Sequence, residues 1–258
     1  LKKSLDCIVK NNIQVNDDFF ILEAGWEGVP PKAGQFFMLK PQRTSVFLPR
    51  PVSVFEYDPS GKVIKFLIVK VGTGTREMAL LETGEILKLT GPLGNSWASF
   101  LPDSKKSRIA LVGGSAGIAP LAALIAENQN MDFHFYAGFK NGFTNKENEN
   151  TVLGSALKAQ KLVITAEDGV NAVQGRVIDF IDIKENYDAL LACGSREMIK
   201  AAVKFCETAN IPCYVSIDSR MACGVGACLG CTVKTKNGNR SCCADGPVFP
   251  AGDLILDE

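Results

Sequence analysis

The pattern of apolar and polar positions changes character near residue 100. Before that point apolar residues come in short runs: Leu5–Lys10, Phe19–Leu22, Gln35–Leu39, Pro51–Tyr57, Lys62–Lys70 and Glu85–Leu89. Turn formers such as Asp58-Pro59-Ser60-Gly61 and Thr83-Gly84 separate them, and runs of this length between turns predict strands. Six such strands in close succession predict a closed or sandwiched antiparallel sheet. Only Thr75–Glu82 carries a helical pattern in this half. Gly91-Pro92-Leu93-Gly94-Asn95 reads as the end of the β region and a domain junction.

From Arg108 onward the chain alternates. Ile109–Val112, Phe133–Tyr136, Leu162–Thr165, Ala189–Leu191 and Cys213–Ile217 read as strands. Helical stretches intervene near Thr151–Ala159, Gly175–Ile181 and Ser195–Ala209, and the polar stretch Lys140–Asn148 reads as a mobile loop. Such alternation predicts a parallel sheet covered on both faces. Ile109–Ala126 is uncharged and as long as a minimal membrane span. Gly113, Gly114, Gly117 and Pro120 interrupt it, so it reads as strand, glycine turn and buried helix. The first residues hold no apolar run of signal-peptide length, and the expectation is a soluble, cytoplasmic protein without a membrane partner.

Length and charge narrow the classes. A chain of 258 residues has room for one large or two medium domains. Lys plus Arg equals Asp plus Glu, 28 each, which argues against nucleic-acid binding. No Ser–His–Asp set or paired-carboxylate site is evident, so hydrolysis has little support. His134, the sole histidine, lies inside an apolar strand and is expected in the core. Five of the nine cysteines fall between Cys223 and Cys243, a crowding that suggests a metal site. Cys7, Cys193, Cys206 and Cys213 are expected mostly as small buried hydrophobes.

Cys223, Cys228 and Cys231 are spaced C-x4-C-x2-C, the spacing of plant-type [2Fe–2S] ligands, which need one later cysteine. Gly224, Gly226 and Gly230 lie between them, where a backbone curling around an inorganic core needs left-handed conformations or close approach. Zinc would favour two C-x2-C pairs or Cys/His pairs, and disulfides are unsuited to an intracellular chain of this size. The fourth ligand stays open on spacing. Asn237-Gly238 is a hairpin signal. A two-residue loop there puts Cys242 on the face of Cys231; a three-residue loop or a bulge puts Cys243 there.

Two further places suit anions. Arg50-Pro51-Val52-Ser53 offers a guanidinium fork and a hydroxyl at the mouth of a strand. Lys70-Val71-Gly72-Thr73-Gly74-Thr75 ends a strand and opens a helix, whose first N–H groups face outward. Thr73 or Thr75 equally suits a plain N-cap. Together the two motifs predict a diphosphate held at one end of the β half. In the second half, Gly113–Pro120 and Cys193-Gly194-Ser195-Arg196 are turns at the carboxyl ends of strands, where nucleotides bind in such sheets. Glu167-Asp168-Gly169 is a simple turn or a ribose contact.

In this order the motifs resemble the ferredoxin–NADP reductase superfamily: R-P-x-S and G-x-G-T, then G-G-x-x-G-x-x-P and C-G-S. The tail, M-A-C-G-V-G-A-C-L-G-C followed by C-A-D-G-P-V-F, resembles the iron–sulfur flavoprotein subunits of NAD-linked dihydroorotate dehydrogenase B. The resemblance implies a β plus α/β architecture. An N-terminal antiparallel Greek-key β-barrel over 1–99 would bind FAD. A central parallel-sheet domain over 100–217 would bind NAD, and a loop and hairpin over 218–258 would hold [2Fe–2S]. It places FAD on Arg50, Pro51, Val52 and Ser53, along Leu67, Ile68 and Val69, with the diphosphate on Gly74 and Thr75. It places NAD over Gly113, Gly114, Gly117 and Pro120, with Cys193 near the reacting ring. It names Cys223, Cys228, Cys231 and Cys243 as cluster ligands.

Ser115 and Ala116 stand where the family more usually has glycine and a larger apolar residue. No arginine cluster for a 2′-phosphate stands out, which favours NAD over NADP. The implied function is an electron relay between NAD(H) and a catalytic, FMN-containing subunit that oxidises dihydroorotate in pyrimidine biosynthesis, in a two-plus-two heterotetramer. A reductase subunit of a ferredoxin/NADP transhydrogenase or sulfide dehydrogenase-type complex is the alternative of the same build. A non-enzymatic zinc-binding interaction module is the alternative of another class.

Overall fold

The structure is a computed structural model that describes residues 3–256 apart from 103 and 105. The first half forms β1 (Lys3–Gln14), β2 (Phe19–Gly25), β3 (Phe36–Pro41), β4 (Arg50–Ser53), β5 (Glu56–Asp58), β6 (Val63–Val69), the short helix α1 (Thr73–Met78) and β7 (Ile86–Leu93). These strands make one seven-stranded sheet in the order β4-β3-β7-β1-β2-β6-β5, with every pairing antiparallel. The ladder runs from β4 to β5 and curls into a half-open barrel, with β4 drawn close to β6.

Strand periodicity explains why β2 is buried almost throughout. Successive side chains point to opposite faces. Phe20, Leu22 and Ala24 join Phe37, Leu39, Ile64 and Phe66 in the barrel core. Phe19 and Ile21, with Leu67 of β6, face the other way into a core shared with the second half. Both faces are therefore apolar, and the barrel and the α/β half are packed on one another.

Several expected boundaries move. Pro51–Tyr57 is not one strand. The chain breaks at Val54-Phe55, where Val54 N–H donates to Gln35 O (3.0 Å) and Phe55 N–H to Lys65 O (3.0 Å). It thereby leaves β3 and joins β6, so β4 and β5 end on opposite edges. The helix expected over Thr75–Glu82 begins two residues earlier and ends at Met78. Gly91-Pro92-Leu93 lies inside β7 instead of after it.

The second half forms β8 (Arg108–Gly114), α2 (Ile118–Glu127), β9 (Asp132–Phe139), α3 (Lys146–Leu153), β10 (Lys161–Ala166), β11 (Val173–Gln174), β12 (Ala189–Cys193), α4 (Arg196–Ala209) and β13 (Cys213–Ser216). The tail follows with β14 (Thr232–Thr235), β15 (Gly238–Ser241), the single-turn helix α5 (Cys242–Asp245) and β16 (Val248–Pro250). The second sheet has the order β11-β10-β9-β8-β12-β13-β16. It is parallel except for β16, which runs antiparallel to β13. The chain builds outward from β8 through β9 and β10, then crosses to β12 on the other side. The switch point lies between β8 and β12, where such sheets open a crevice.

Ile109–Ala126 folds as expected, and eight of the ten α2 residues are buried. Ser195 caps α4, its Oγ accepting from Met198 N–H at 3.2 Å. Lys146–Asn148 is helix, not loop, because Asn145 Oδ1 accepts from Glu147 N–H (2.8 Å) and starts α3 there. Thr151–Ala159 accordingly holds the end of α3 and a 3₁₀ segment. Gly175–Ile181 supplies only a 3₁₀ turn over Val177–Phe180. Among the described residues no helix is long and apolar enough to cross a membrane.

His134 is buried as expected, but its surroundings are polar. Its Nδ1 meets the Tyr187 hydroxyl at 2.9 Å and its Nε2 lies 3.3 Å from Asp132 Oδ1. Arg108 ties Asp132 (2.7 Å) to Glu185 (3.1 Å), and Lys161 meets Glu185 at 2.9 Å. Arg108, Asp132 and Lys161 open β8, β9 and β10, so this network closes the amino ends of the strands, opposite the crevice.

Candidate functional site

Three places gather functional side chains. At the barrel end, β4 pairs with β3 so that Ser53 lies opposite Phe36, Pro51 opposite Met38 and Arg50 opposite Leu39. A Cβ on Gly74 would lie 2.8 Å from Arg50 Nε. The guanidinium therefore rests on the first turn of α1, and the two anion motifs converge. Arg50 Nη1 also donates to Leu48 O at 2.7 Å. Thr75 Oγ1 accepts from Gly72 N–H (3.1 Å) and donates to Gly72 O (3.0 Å). The Thr75 hydroxyl thus caps its own helix, and only its backbone remains for a ligand. Glu77 accepts from the Thr44 and Ser45 hydroxyls. Those bonds, Ser45 first and then Thr44, with Arg50 adding a smaller share, hold its carboxyl below the usual range.

Val52 and Ser53 are half-buried, as is Val69. Leu67 and Ile68 are 1% and 3% exposed. Their side chains belong to the two cores, so a ligand along β6 would meet backbone there.

At the switch point the two glycine turns touch. A Cβ on Gly117 would lie 2.1 Å from Cys193 O, and one on Gly194 would lie 3.2 Å from Gly114 Cα. A Cβ on Gly113 would press Ile118 and Phe135. Pro120 is buried in the first turn of α2. Ser115 has φ of 52°, the left-handed region in which glycine is unstrained. Cys193 is 8% exposed, and burial, against a smaller opposing effect of its hydrogen bond with Ser216, pushes its thiol up to about 12. It sits as a neutral thiol in the core below the switch point. Asp168 Oδ1 accepts from Gly142 N–H and Val170 N–H, both at 3.0 Å, and so braces a loop.

The third place is the cysteine loop. Cys223 contacts Cys228, and Cys243 contacts Cys231 with Cys223 near it. Val225 N–H points at Cys223 Sγ (3.4 Å) and Gly226 N–H at Cys243 Sγ (3.1 Å). Gly224 and Gly226 have φ of 68° and 84°. The Val225 N–H, then the Cys228 N–H and thiol, bring the Cys223 thiol down to about 6. Burial, then Cys231, pushes Cys243 up to about 11. Among the described residues no three His, Cys, Asp or Glu side chains gather as for a single ion; the thiols stand as two pairs.

The hairpin turns one residue earlier than its signal. Thr235 pairs with Gly238, leaving Lys236-Asn237 as the loop. Cys242 N–H then donates to Cys231 O at 2.9 Å. A continuing strand would put Cys242 on the face of Cys231. Instead the chain turns helical at Cys242, which rotates successive side chains by roughly 100°. The Cys242 thiol donates to Ile217 O (3.1 Å) and Cys243 meets the other thiols.

The tail is seated on the barrel. A Cβ on Gly224 would lie 2.8 Å from Met38 Cγ and 3.0 Å from Leu93 Cδ1. Phe36, Met38, Leu93 and Met221 pack with Cys231, Cys242 and Cys243. Asn95 binds the tail on both sides, donating to Val248 O (2.8 Å) and Asp245 O (3.2 Å) and accepting from Val248 N–H (3.0 Å). Sequence reading missed Met38, Leu93 and Asn95, since only the fold brings them to the cysteines.

A curled antiparallel sheet joined to a parallel sheet with helices on both faces is the architecture of the ferredoxin–NADP reductase class. The structure of an NADH-dependent reduced ferredoxin-NADP oxidoreductase, studied for flavin-based electron bifurcation, matches with a TM-score of 0.81. It shares 22% identity and covers 97% of this chain and 90% of its own. A ferredoxin NADP+ reductase from Neisseria gonorrhoeae, with bound FAD and NADP, matches with a TM-score of 0.65 and 18% identity over 80% of this chain and 92% of that one. Residues 218–255 match the family model of the iron-sulfur cluster binding domain of dihydroorotate dehydrogenase B.

Over 97% of its length the chain is 38% identical to the dihydroorotate dehydrogenase B (NAD(+)) electron transfer subunit of Clostridium acetobutylicum, covering 96% of it. It is 36% identical to that of Clostridium perfringens over 93% of this chain and 94% of that one. The chain belongs to the family of dihydroorotate dehydrogenase B electron transfer subunits, and so to the oxidoreductases.

Proposed function

We propose that this chain relays electrons between NAD(H) and a catalytic partner that oxidises dihydroorotate, through FAD on the barrel and a [2Fe–2S] cluster in the tail. The observation that carries the reading is the seating of the cysteine loop on β3. Met38 touches Gly224 and is paired with Pro51, so the thiol loop packs on the strand next to R-P-x-S. Bound there, the two groups would supply the change from two-electron exchange with NAD(H) to one-electron transfer.

The residues present fit both groups. Arg50 rests its guanidinium on Gly74 only because no side chain stands there, which brings the fork beside the first turn of α1, where it would meet a diphosphate. The first turn of α1 adds N–H groups without intrahelical acceptors. Ser53, on the same strand as Arg50, offers a half-buried hydroxyl. Cys223 and Cys228 form one pair and Cys231 and Cys243 the other. Three cysteines in C-x4-C-x2-C with one later cysteine supply the four thiolates that two irons share. The Val225 and Gly226 N–H groups aim at sulfur, and such bonds tune a cluster's potential. At the switch point Gly113, Gly114 and Gly117 let the two turns pack closely; a dinucleotide would run over the half-buried Gly114 and Gly117, with Cys193 buried next to Gly117.

The partner in this reading carries FMN and pairs with this chain two plus two. Val225 and Leu229, 47% and 66% exposed, with the exposed Cys228, give the cysteine loop an apolar rim for it. The test is anaerobic purification followed by absorption spectroscopy and assay with the partner. Flavin and cluster bands, with dihydroorotate-dependent NAD reduction on reconstitution, are expected. A colourless zinc-loaded sample, or co-purification with a glutamate-synthase-like subunit instead, overturns it.

A further inference from the structure

The segment between β3 and β4 presents an aromatic ring that the relay leaves unexplained. Phe47 is 86% exposed. Every other aromatic side chain among the described residues is buried or half-buried. An isolated ring in water is ordinary on a mobile tip, but this one is tied down by polar bonds. Lys40 Nζ donates to Phe47 O at 2.9 Å and sits 5.4 Å from the ring centroid. Glu77 of α1 accepts from Ser45 N–H at 3.1 Å, besides the Thr44 and Ser45 hydroxyls. Arg50 Nη1 donates to Leu48 O at 2.7 Å.

Two of these three anchors, α1 and Arg50, are also the two halves of the anion clamp at Gly74. The ring is thus fixed to the same frame that would grip a diphosphate. One face is engaged by Lys40, and the exposure leaves the other open. Lys40 and Arg50 flank the loop as cations, with the Glu77 carboxylate between α1 and Ser45 taken up by its hydrogen bonds. Leu48, 42% exposed, follows the ring in the chain and adds apolar surface.

We propose that Phe47 is the stacking platform for the adenine ring of the FAD whose diphosphate Arg50 and α1 hold. The inference rests on the barrel being the flavin site. A flat purine stacks on an aromatic side chain whatever its edge chemistry, so a single fixed ring suffices. Phe47 then acts on the AMP half of the ligand and not on the isoalloxazine.

The experiment compares FAD with FMN, which lacks the AMP half, in titrations of the full-length apoprotein followed by flavin fluorescence. Phe47→Ala should weaken FAD about tenfold, the range of base–aromatic stacking, and leave FMN unchanged. Phe47→Trp should keep the wild-type FAD affinity. Leu80→Ala, an 80% exposed residue beyond the end of α1, should change neither. If Phe47→Ala keeps the wild-type preference for FAD, the inference is wrong, and a weakened partner complex in that variant would mean a protein-docking ring instead. If it weakens FAD and FMN equally, the loop has collapsed and stacking is also refuted. A wild-type chain that binds neither flavin fails the barrel reading itself, a result distinct from both.

Discussion

Gly224 and Met38 touch across the boundary between tail and barrel: a Cβ on Gly224 would lie 2.8 Å from Met38 Cγ. The contact is possible only for glycine, since φ at 224 is 68° and no side chain fits. It fixes how far the thiol loop stands from the strand that pairs with Arg50–Ser53.

Gly224→Ala should therefore loosen the cluster loop. The left-handed backbone alone costs an L-residue about 1–2 kcal/mol, and the methyl must also push Met38 or Leu93 aside. Iron per chain should fall while flavin content holds. Wild-type iron content and visible spectrum in the variant would show that the seating is unimportant.

The two adjacent cysteines should behave differently. Cys243→Ser removes a thiol facing Cys231 and Cys223 and should abolish cluster assembly. Cys242→Ser keeps a donor for Ile217 O and should retain iron, with stability changed by no more than about 1 kcal/mol, the scale of one hydrogen bond. Iron and sulfide analysis of both variants decides it, and the reverse result would reassign the fourth ligand.

Arg50 should govern flavin affinity without touching the cluster. Charge-assisted hydrogen bonds contribute about 1.5–3 kcal/mol, so Arg50→Ala should weaken FAD by roughly ten- to a hundredfold. Arg50→Lys should recover only part, because a point charge lacks the planar fork. Equal FAD retention in all three proteins, measured by ultrafiltration, would remove Arg50 from the site.

His134 should make the fold sensitive to mild acid. Burial lowers its pKa, outweighing Asp132 and Glu185, which raise it, while Arg108 and Lys161 add to the lowering. The folded state thus takes up this proton less readily than the unfolded chain, whose histidine titrates near 6.5. Stability from this group is full well above pH ~6.5 and is lost as pH falls through that value toward the lower folded pKa. Glu185, held low chiefly by Lys161, adds loss of the same sign at lower pH. Thermal midpoints at about pH 7.5 and about pH 5.5 should differ more in wild type than in His134→Asn. An equal difference would show that His134 is not the titrating group.

The sequence by itself determined whatever depends on near neighbours. The C-x4-C-x2-C spacing with its glycines marked the thiol loop, and Gly224 and Gly226 are left-handed there. Ile109–Ala126 announced its own strand, turn and helix because glycines and proline act within a few residues. Arg50 and Gly74 were both legible as anion binders. That the two motifs share one end of the β half was legible too; the packing of the Arg50 guanidinium on Gly74 was not, since contact between β4 and α1 is a fact of the curled sheet. The tertiary structure likewise separated the two adjacent thiols, turning Cys242 to Ile217 O and Cys243 toward Cys231. Strand alternation favours Cys242 in this register, and a helical turn reversed it. It also split Pro51–Tyr57, whose residues suit a strand throughout, by offering β3 to one half and β6 to the other. Local propensity sets which backbone shapes are cheap. Which partner a strand takes, and where a side chain then points, depends on packing between residues far apart in the chain.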